Sequence, residues 1–263
     1  MAQPKKEMTL LEHLEELRRV LLICIIAVGI CAVGAYVFND RIMEVLLSPL
    51  TAVGYRPVVT GITEAFMVRI KLALFVGFLA ALPVILWQVW WFVAPALEKA
   101  EQRYFLLFVF GTFFLFLAGV VFGFFGVFRV AVAFLLKFTG SQLVPMLTID
   151  KYISFAIYLL LPFGLIFELP LVSFVVARLG LISSAFLARK RRYALLISVI
   201  VAAAITPTPD MITCLIMTAP LYALYEVSLV VVKLTERAEA RKRTHEEAGE
   251  EEHGQGVLPA SNS

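Results

Sequence analysis

The stretch YISFAIYLLLPFGLIFELPLVSFVVA, Tyr152 to Ala177, has 26 residues and carries one acidic residue, Glu168, and no basic one. An α-helix rises 1.5 Å per residue, so about 20 apolar residues cross the 30 Å hydrocarbon core of a bilayer. The stretch is therefore long enough to span a membrane. Pro162 and Pro170 flank Glu168 and cannot donate backbone hydrogen bonds, so we expect this helix to bend there.

The composition of the whole chain indicates the same class of protein. The chain has 263 residues, of which 61% are hydrophobic and 16% are charged, and its mean hydropathy is +0.90. Soluble domains are usually about 45–50% apolar and about 25% charged. The apolar excess is too large for a soluble core and predicts an all-α integral membrane protein.

Six apolar runs can be read along the chain: Val20–Phe38, Leu72–Leu97, Tyr104–Phe128, Tyr152–Ala177, Tyr193–Ile205 and Ile212–Val232. The fifth run has only 13 residues, which reach about 20 Å as a helix, so we expect the membrane to thin around it. It leads through the turn TPTPD, residues 206–210, directly into the sixth run. The fifth and sixth runs therefore read as a helical hairpin.

We accordingly predict six transmembrane helices in a single membrane domain, 20–232, with short fifth and sixth spans. The predicted spans are about 20–38, 72–94, 104–128, 152–177, 190–206 and 212–232. A cytoplasmic amphipathic segment, 1–19, precedes this domain. A cytoplasmic and mostly disordered tail, 233–263, follows it, and its first half could extend the last helix by a few turns.

The distribution of lysine and arginine predicts the orientation. With an inside N-terminus, the inside segments hold 16 of these residues and the outside segments hold 7. The positive-inside rule then places both termini in the cytoplasm. The first apolar run is too long for the core of a secretory signal and lacks a small-residue cleavage site, so we interpret it as an uncleaved span. The bacterial inner membrane is the expected location, with a plastid or archaeal membrane as the alternative.

Two polar stretches lie at the predicted cytoplasmic face. In MTLLEHLEELRRVLL, residues 8–22, leucines recur at spacings of three and four, which is typical of an amphipathic helix. Its charged face is either solvated, with Glu12–Glu16–Arg19 pairs, or part of a binding site. The loop WWFVAPALEKAEQRY, residues 90–104, places Glu98 and Glu101 where lysine and arginine are usual. These carboxylates are either solvated or form a site for a basic ligand.

Glu168 lies about 14 Å from the inner end of its helix, near the middle of the membrane. A charge at this depth costs at least about 2.5–3.5 kcal/mol, so such residues usually face a bundle interior, a wet cavity or a partner. The alternative is a protonated glutamic acid that is hydrogen-bonded inside the bundle. Glu226 lies nearer the inner end of its span and can reach the interface. Asp210 precedes the sixth span, where a carboxylate can cap a helix N-terminus.

These stretches together resemble the TatC family, the multispanning receptor of the twin-arginine protein translocase. The motifs are HLEELRR at 13–19, SPL at 48–50, PVILWQVWWFVAPAL at 83–97, FELP at 167–170 and TPTPD at 206–210. They occur in the order of the family, and the resemblance covers the chain from Leu11 to about Lys233. It implies a concave, glove-like bundle of six helices.

The resemblance also implies functional residues. A signal-peptide site is expected from Glu16, Leu17, Arg18, Phe92, Pro95 and Glu101. Glu168 is expected to be an intramembrane polar contact for partners, and Pro49 and Asp210 are expected to be functional on the outside face. Thr206 and Thr213 are expected to contact a partner helix.

The predicted function is that of a receptor rather than an enzyme. The chain would bind twin-arginine signal peptides of folded precursors and, with TatA and TatB type single-span proteins, mediate their export driven by the proton-motive force. Self-association and contact with the lipid bilayer are expected, and no nucleic acid. The alternative is an ion-coupled small-solute transporter with Glu168 as proton carrier, which would require inverted repeats that the sequence does not display.

The sequence predicts neither a cofactor nor a metal site. It contains no phosphate-binding loop of the GxxxxGK[ST] type and no nucleophile–base set. Its three cysteines, Cys24, Cys31 and Cys214, lie inside apolar runs and form no CxxC pair. Its three histidines, His13, His245 and His253, lack a metal-ligand spacing.

Overall fold

The computed structural model describes residues 10–93, 105–137, 146–206 and 211–255, and these residues form a bundle of helices. In chain order the helices are α1 (Leu10–Val37), α2 (Asn39–Thr51), α3 (Ile62–Val93), α4 (Phe105–Phe122), α5 (Arg129–Lys137), α6 (Ile149–Phe167), α7 (Leu169–Arg178), α8 (Ser184–Ile205) and α9 (Met211–Gln255). A π-helical segment, Gly123–Phe128, joins α4 to α5.

Residues 10–19 and the first span form one continuous helix, α1, as the leucine pattern predicts. This helix packs along α3. Their closest approach is at Gly77, where a Cβ atom would lie 2.5 Å from the backbone Cα of Ala32. Small residues at such crossings let two membrane helices approach closely and gain van der Waals contact. Glycine at position 77 is therefore required by the α1–α3 contact.

Two spans are longer than their apolar runs. Helix α3 begins at Ile62, before the predicted start at Leu72. The third span continues beyond Phe128 into α5 and ends at Lys137. Both extensions lie at the predicted outer end of the bundle. An apolar run measures the thickness of the hydrocarbon layer, whereas a helix continues into the interface as long as its backbone is hydrogen-bonded.

The fourth span is interrupted at Glu168, as its prolines predict. Helix α6 ends at Phe167 and α7 begins at Leu169. At the break the backbone N–H of Glu168 donates to the carbonyl of Leu165 over 3.1 Å, a tighter turn than in an α-helix. Pro170 has no N–H and cannot donate to the carbonyl four residues earlier, so it accounts for the interruption.

Five segments of the described helices are long and apolar enough to cross a membrane. They lie in α1, in α3, in the third span, in the fourth span and in α9. Helix α8 is not among them, although it has 22 residues. Four consecutive basic residues, Arg189 to Arg192, occupy its first half and leave a short apolar part. The prediction of a short fifth span is therefore consistent with the structure.

The tail departs from the prediction of mostly disordered chain. Helix α9 has 45 residues and continues without interruption to Gln255. Residues 233–255 are therefore helical, well beyond the few turns expected. The physical reason is composition, because alanine, glutamate, lysine and arginine dominate this part and are strong helix formers. High charge and low hydropathy in residues 233–255 therefore did not predict their conformation correctly.

The end of the bundle that holds the start of α3 and of α6 is tied together by polar contacts. Val58 and Thr148 form a short parallel bridge, and we call this end the bridge end. Lys71 pairs with Asp150 at 2.5 Å. The hydroxyl of Tyr152 donates to the carbonyl of Leu46 over 2.9 Å. Below these contacts, fully buried phenylalanines pack the centre of the bundle: Phe116, Phe128 and Phe163.

Candidate functional site

A groove lies at the end of the bundle opposite the bridge end, between the start of α1 and the last turn of α3. We call it the terminal groove. Its volume is about 710 Å³, and its lining residues are Glu15, Glu16, Arg18, Arg19, Leu22, Ile23, Ile26 and Trp91. The charged residues come first along α1 and the apolar residues follow. The groove therefore offers a polar mouth and an apolar continuation towards the membrane.

An aromatic contact holds the two walls of the terminal groove together. The rings of His13 and Phe92 stack with centroids 4.3 Å apart and an angle of 19°. The indole N–H of Trp90 donates to the hydroxyl of Thr112 over 3.0 Å, which anchors the end of α3 to the third span. The His13–Phe92 stack holds the end of α3 against α1, so the two walls of the terminal groove are in contact without a ligand.

Glu16 is the carboxylate best placed to act in the terminal groove. Its side chain is 17% exposed, and its Oε2 atom lies 3.8 Å from Nδ1 of His13. That oxygen is buried and has no hydrogen-bond partner in the part of the chain that the structure describes. The predicted Glu16–Arg19 pair is not formed there. An acceptor without a donor is costly to keep buried, and a cationic ligand would satisfy it.

The structure brings together part of the predicted signal-peptide site. Glu16 and Arg18 line the terminal groove, and Phe92 lies at its edge through the stack with His13. Leu17 is 37% exposed on α1 and is not a lining residue. Pro95 and Glu101 lie outside the described residues.

Sequence reasoning did not assign His13, Trp91 or the apolar part of the terminal groove to the site. One signal was available for the residues on α1. Glu15, Arg19, Leu22 and Ile26 are spaced by four, three and four, so they form one stripe of the helix. No local pattern pairs His13 with Phe92, because their contact depends on how α1 crosses α3.

Glu168 lies at the break in the fourth span and is 9% exposed. Both of its carboxyl oxygens are buried, and neither has a hydrogen-bond partner among the described residues. The described residues hold no cluster of three or more His, Cys, Asp and Glu side chains that could bind a metal ion. Glu168 is therefore a buried carboxyl at the helix break, and the alternative of a protonated glutamic acid inside the bundle stays a prediction.

The remaining predicted residues are distributed over the bundle. Pro49 is buried within α2, and Asp210 lies outside the described residues. The hydroxyl of Thr206 donates to the carbonyl of Ala202 over 3.0 Å. Thr213 is fully buried in α9. A partner helix would reach these two threonines only if the hairpin of α8 and α9 opened.

A bundle of membrane-length helices with a charged groove at one end defines a multi-pass membrane protein with a candidate binding site. Residues 12–220 match the family described as "Sec-independent protein translocase protein (TatC)". The chain belongs to the TatC family.

Relatives from different organisms are named as Sec-independent protein translocase proteins. The chain is 50% identical over 228 residues to "Sec-independent protein translocase protein TatC" of Carboxydothermus hydrogenoformans, covering 87% of this chain and 94% of that protein. It is 35% identical over 240 residues to "Sec-independent protein translocase protein TatCd" of Bacillus subtilis, covering 91% and 98%.

The fold also matches a solved structure. The "Crystal Structure of Twin Arginine Translocase Receptor- TatC" superposes with a TM-score of 0.78 at 38% identity, covering 86% of this chain and 100% of that chain. This match confirms the predicted fold class, a six-span, glove-like helical membrane protein. The chain is thus a component of a Sec-independent protein translocase, and the small-solute transporter alternative is not supported.

Proposed function

We propose that this chain is the receptor of a twin-arginine translocase and binds the paired arginines of signal peptides in the terminal groove. The single observation that carries this proposal is the Oε2 atom of Glu16, which is buried in that groove without a hydrogen-bond partner among the described residues. A guanidinium presents several N–H donors in a planar fork that matches a carboxylate. Leu22 and Ile26 continue the groove with apolar surface, which suits the hydrophobic part of a signal peptide.

In this proposal the terminal groove faces the cytoplasm, and so do both termini. The basic residues Arg189 to Arg192 lie at the N-terminal part of α8, which favours this orientation. The chain would be non-catalytic, with no cofactor of its own, and export would be driven by the proton-motive force. Pro95 and Glu101 would complete the peptide site.

The proposal assigns partners to Glu168. A buried carboxyl without a hydrogen-bond partner can accept a donor from an incoming helix, so Glu168 would contact TatA or TatB type single-span proteins. Pro49 and Asp210 would act on the outside face, and Thr206 and Thr213 would contact a partner helix upon opening of the hairpin. Self-association would bring more than one copy into the translocase.

The test is the binding of a twin-arginine peptide to the purified, detergent-solubilised protein. A charge-assisted hydrogen bond contributes about 1.5–3 kcal/mol, so Glu16→Gln should weaken binding about 10- to 100-fold. The matched control is Glu44→Gln, which removes an exposed carboxylate near the bridge end. This control should leave the dissociation constant unchanged.

A twin-lysine peptide provides the second arm of the test. The lysine ammonium is a compact charge and cannot form the two parallel hydrogen bonds of a guanidinium, so this peptide should bind more weakly. Equal affinity for the two peptides would contradict the geometric part of the proposal. Unchanged binding to the Glu16→Gln variant would exclude the terminal groove as the arginine site.

A further inference from the structure

A second cavity lies away from the terminal groove and from Glu16. It is a crevice of about 410 Å³ between the fourth, fifth and sixth spans. Leu187, Lys190, Ala194, Ile197 and Val201 line it from α8, and Leu221 and Tyr225 line it from α9. We call it the α8 crevice. The proposed receptor function makes no use of it.

The walls of the α8 crevice are apolar, because their polar groups are satisfied internally. The hydroxyl of Ser198 donates to the carbonyl of Ala194 over 2.8 Å. The hydroxyl of Tyr225 donates to the carbonyl of Leu187 over 2.6 Å. A polar ligand would find few free donors or acceptors along these walls. Their chemistry suits a hydrocarbon chain.

The mouth of the α8 crevice carries a cation. Lys190 lines the crevice, whereas Arg189 and Arg192 are exposed on neighbouring positions of α8 and are not lining residues. Arg191 pairs with Glu226 at 2.8 Å, so its charge is compensated. No carboxylate among the described residues pairs with Arg189, Lys190 or Arg192. The ammonium group of Lys190 lies 5.0 Å from the ring centroid of Tyr193, which holds it over the mouth.

We propose that the α8 crevice binds an anionic phospholipid, with the phosphate against Lys190 and an acyl chain along Ala194, Ile197 and Val201. The twelve residues from Lys190 to Val201 span about 16 Å of helix. One leaflet of a 30 Å hydrocarbon core is about 15 Å thick. The α8 crevice is thus as long as one acyl layer, and Lys190 lies at its headgroup end.

The α8 crevice is too small to enclose a partner helix, which could lie only across its opening. A helix with its side chains is about 10–12 Å in diameter, so 16 Å of it would occupy at least about 1,250 Å³. The α8 crevice offers about 410 Å³. A helix could therefore cover the crevice but could not enter it.

The experiment uses the full chain in lipid nanodiscs and a phosphatidylglycerol probe with a photoreactive group near the end of one acyl chain. We expect crosslinks on residues 194–201 that unlabelled phosphatidylglycerol competes away and phosphatidylcholine does not. A basic residue near an anionic surface contributes roughly fivefold in binding, so Lys190→Gln should lower the crosslink yield about fivefold. Lys233→Gln, an exposed lysine on α9 outside the crevice, is the matched control.

A second variant tests the apolar part of the site. Ala194→Phe fills the α8 crevice and should abolish the crosslink, whereas Ala204→Phe, on an exposed position of the same helix, should not. If Ala194→Phe does not fold, the crosslink yield of the Lys190→Gln variant tests the proposal. Equal competition by phosphatidylcholine would overturn the proposal. So would an unchanged crosslink in the Lys190 variant, or crosslinks that fall outside residues 194–201.

Discussion

Replacing Glu168 with leucine should make the protein more stable and less active at the same time. Glu168 is 9% exposed, and both of its oxygens are buried without a hydrogen-bond partner among the described residues. An unsatisfied buried polar group costs about 1–3 kcal/mol, and leucine of similar size removes that cost. Glu168→Leu should therefore raise the free energy of unfolding by about 1–3 kcal/mol.

Thermal unfolding in detergent measures the stability change. For a protein of this size, 1 kcal/mol corresponds to about 2–4 °C in the midpoint, so the increase should be several degrees. Co-purification of single-span partners and export of a twin-arginine reporter measure the function. Both should fall in Glu168→Leu, because a leucine cannot accept a hydrogen bond from an incoming helix. Binding of the twin-arginine peptide should change little.

Glu168→Gln separates hydrogen bonding from charge, because the amide still accepts a hydrogen bond. This variant should retain most export and most partner assembly. A lower midpoint in Glu168→Leu would show that the carboxyl stabilises the fold, which would refute the reasoning from its unsatisfied oxygens. Normal export by Glu168→Leu would show that the carboxyl is tolerated rather than used.

Three further predictions concern the bundle. Gly77→Ala places a Cβ atom 2.5 Å from the backbone of Ala32 and should lower stability by about 1–3 kcal/mol, while Gly29→Ala, with open space around it, should not lower it. Both are measured by thermal unfolding, and equal midpoints would contradict the close packing of α1 and α3. Trp90→Phe leaves the hydroxyl of Thr112 without its donor and should cost about 1–3 kcal/mol, part of which the double variant with Thr112→Val should recover. If the double variant is no more stable than Trp90→Phe, the Trp90–Thr112 hydrogen bond contributes little to the free energy of unfolding. Lengthening the apolar part of α8 by about six leucines adds about 9 Å and removes the expected membrane thinning, so reporter export should fall. Undiminished export would count against thinning.

The spans and the helix break were predictable because they depend on local chemistry. Long apolar runs must be helical in a membrane, since their backbone groups find no other partners there. Pro170 removes a donor at a fixed position, so the break at Glu168 follows from the sequence. The short apolar part of α8 is visible in the same way, because Arg189 to Arg192 interrupt it.

The terminal groove was only partly predictable because it depends on long-range packing. The resemblance placed Glu16 and Phe92 in one site, but no pattern in the chain indicates that Phe92 stacks on His13. The α8 crevice depends likewise on the distance between α8, α9 and the broken fourth span. The helical tail was missed because high charge predicts solvation, which a helix with an exposed surface satisfies as well as a disordered chain.

The polar contacts at the bridge end have a mechanical consequence. They join the start of α3 to the start of α6 through the Val58–Thr148 bridge and the Lys71–Asp150 pair. Rotation of α3 about this fastened end would move its opposite end most, together with the parts of α1 and of the third span that Phe92 and Trp90 contact. Helix α3 has 32 residues and is about 48 Å long. A swing of about 5° at the bridge end would therefore move its far tip, beside the terminal groove, by about 4 Å.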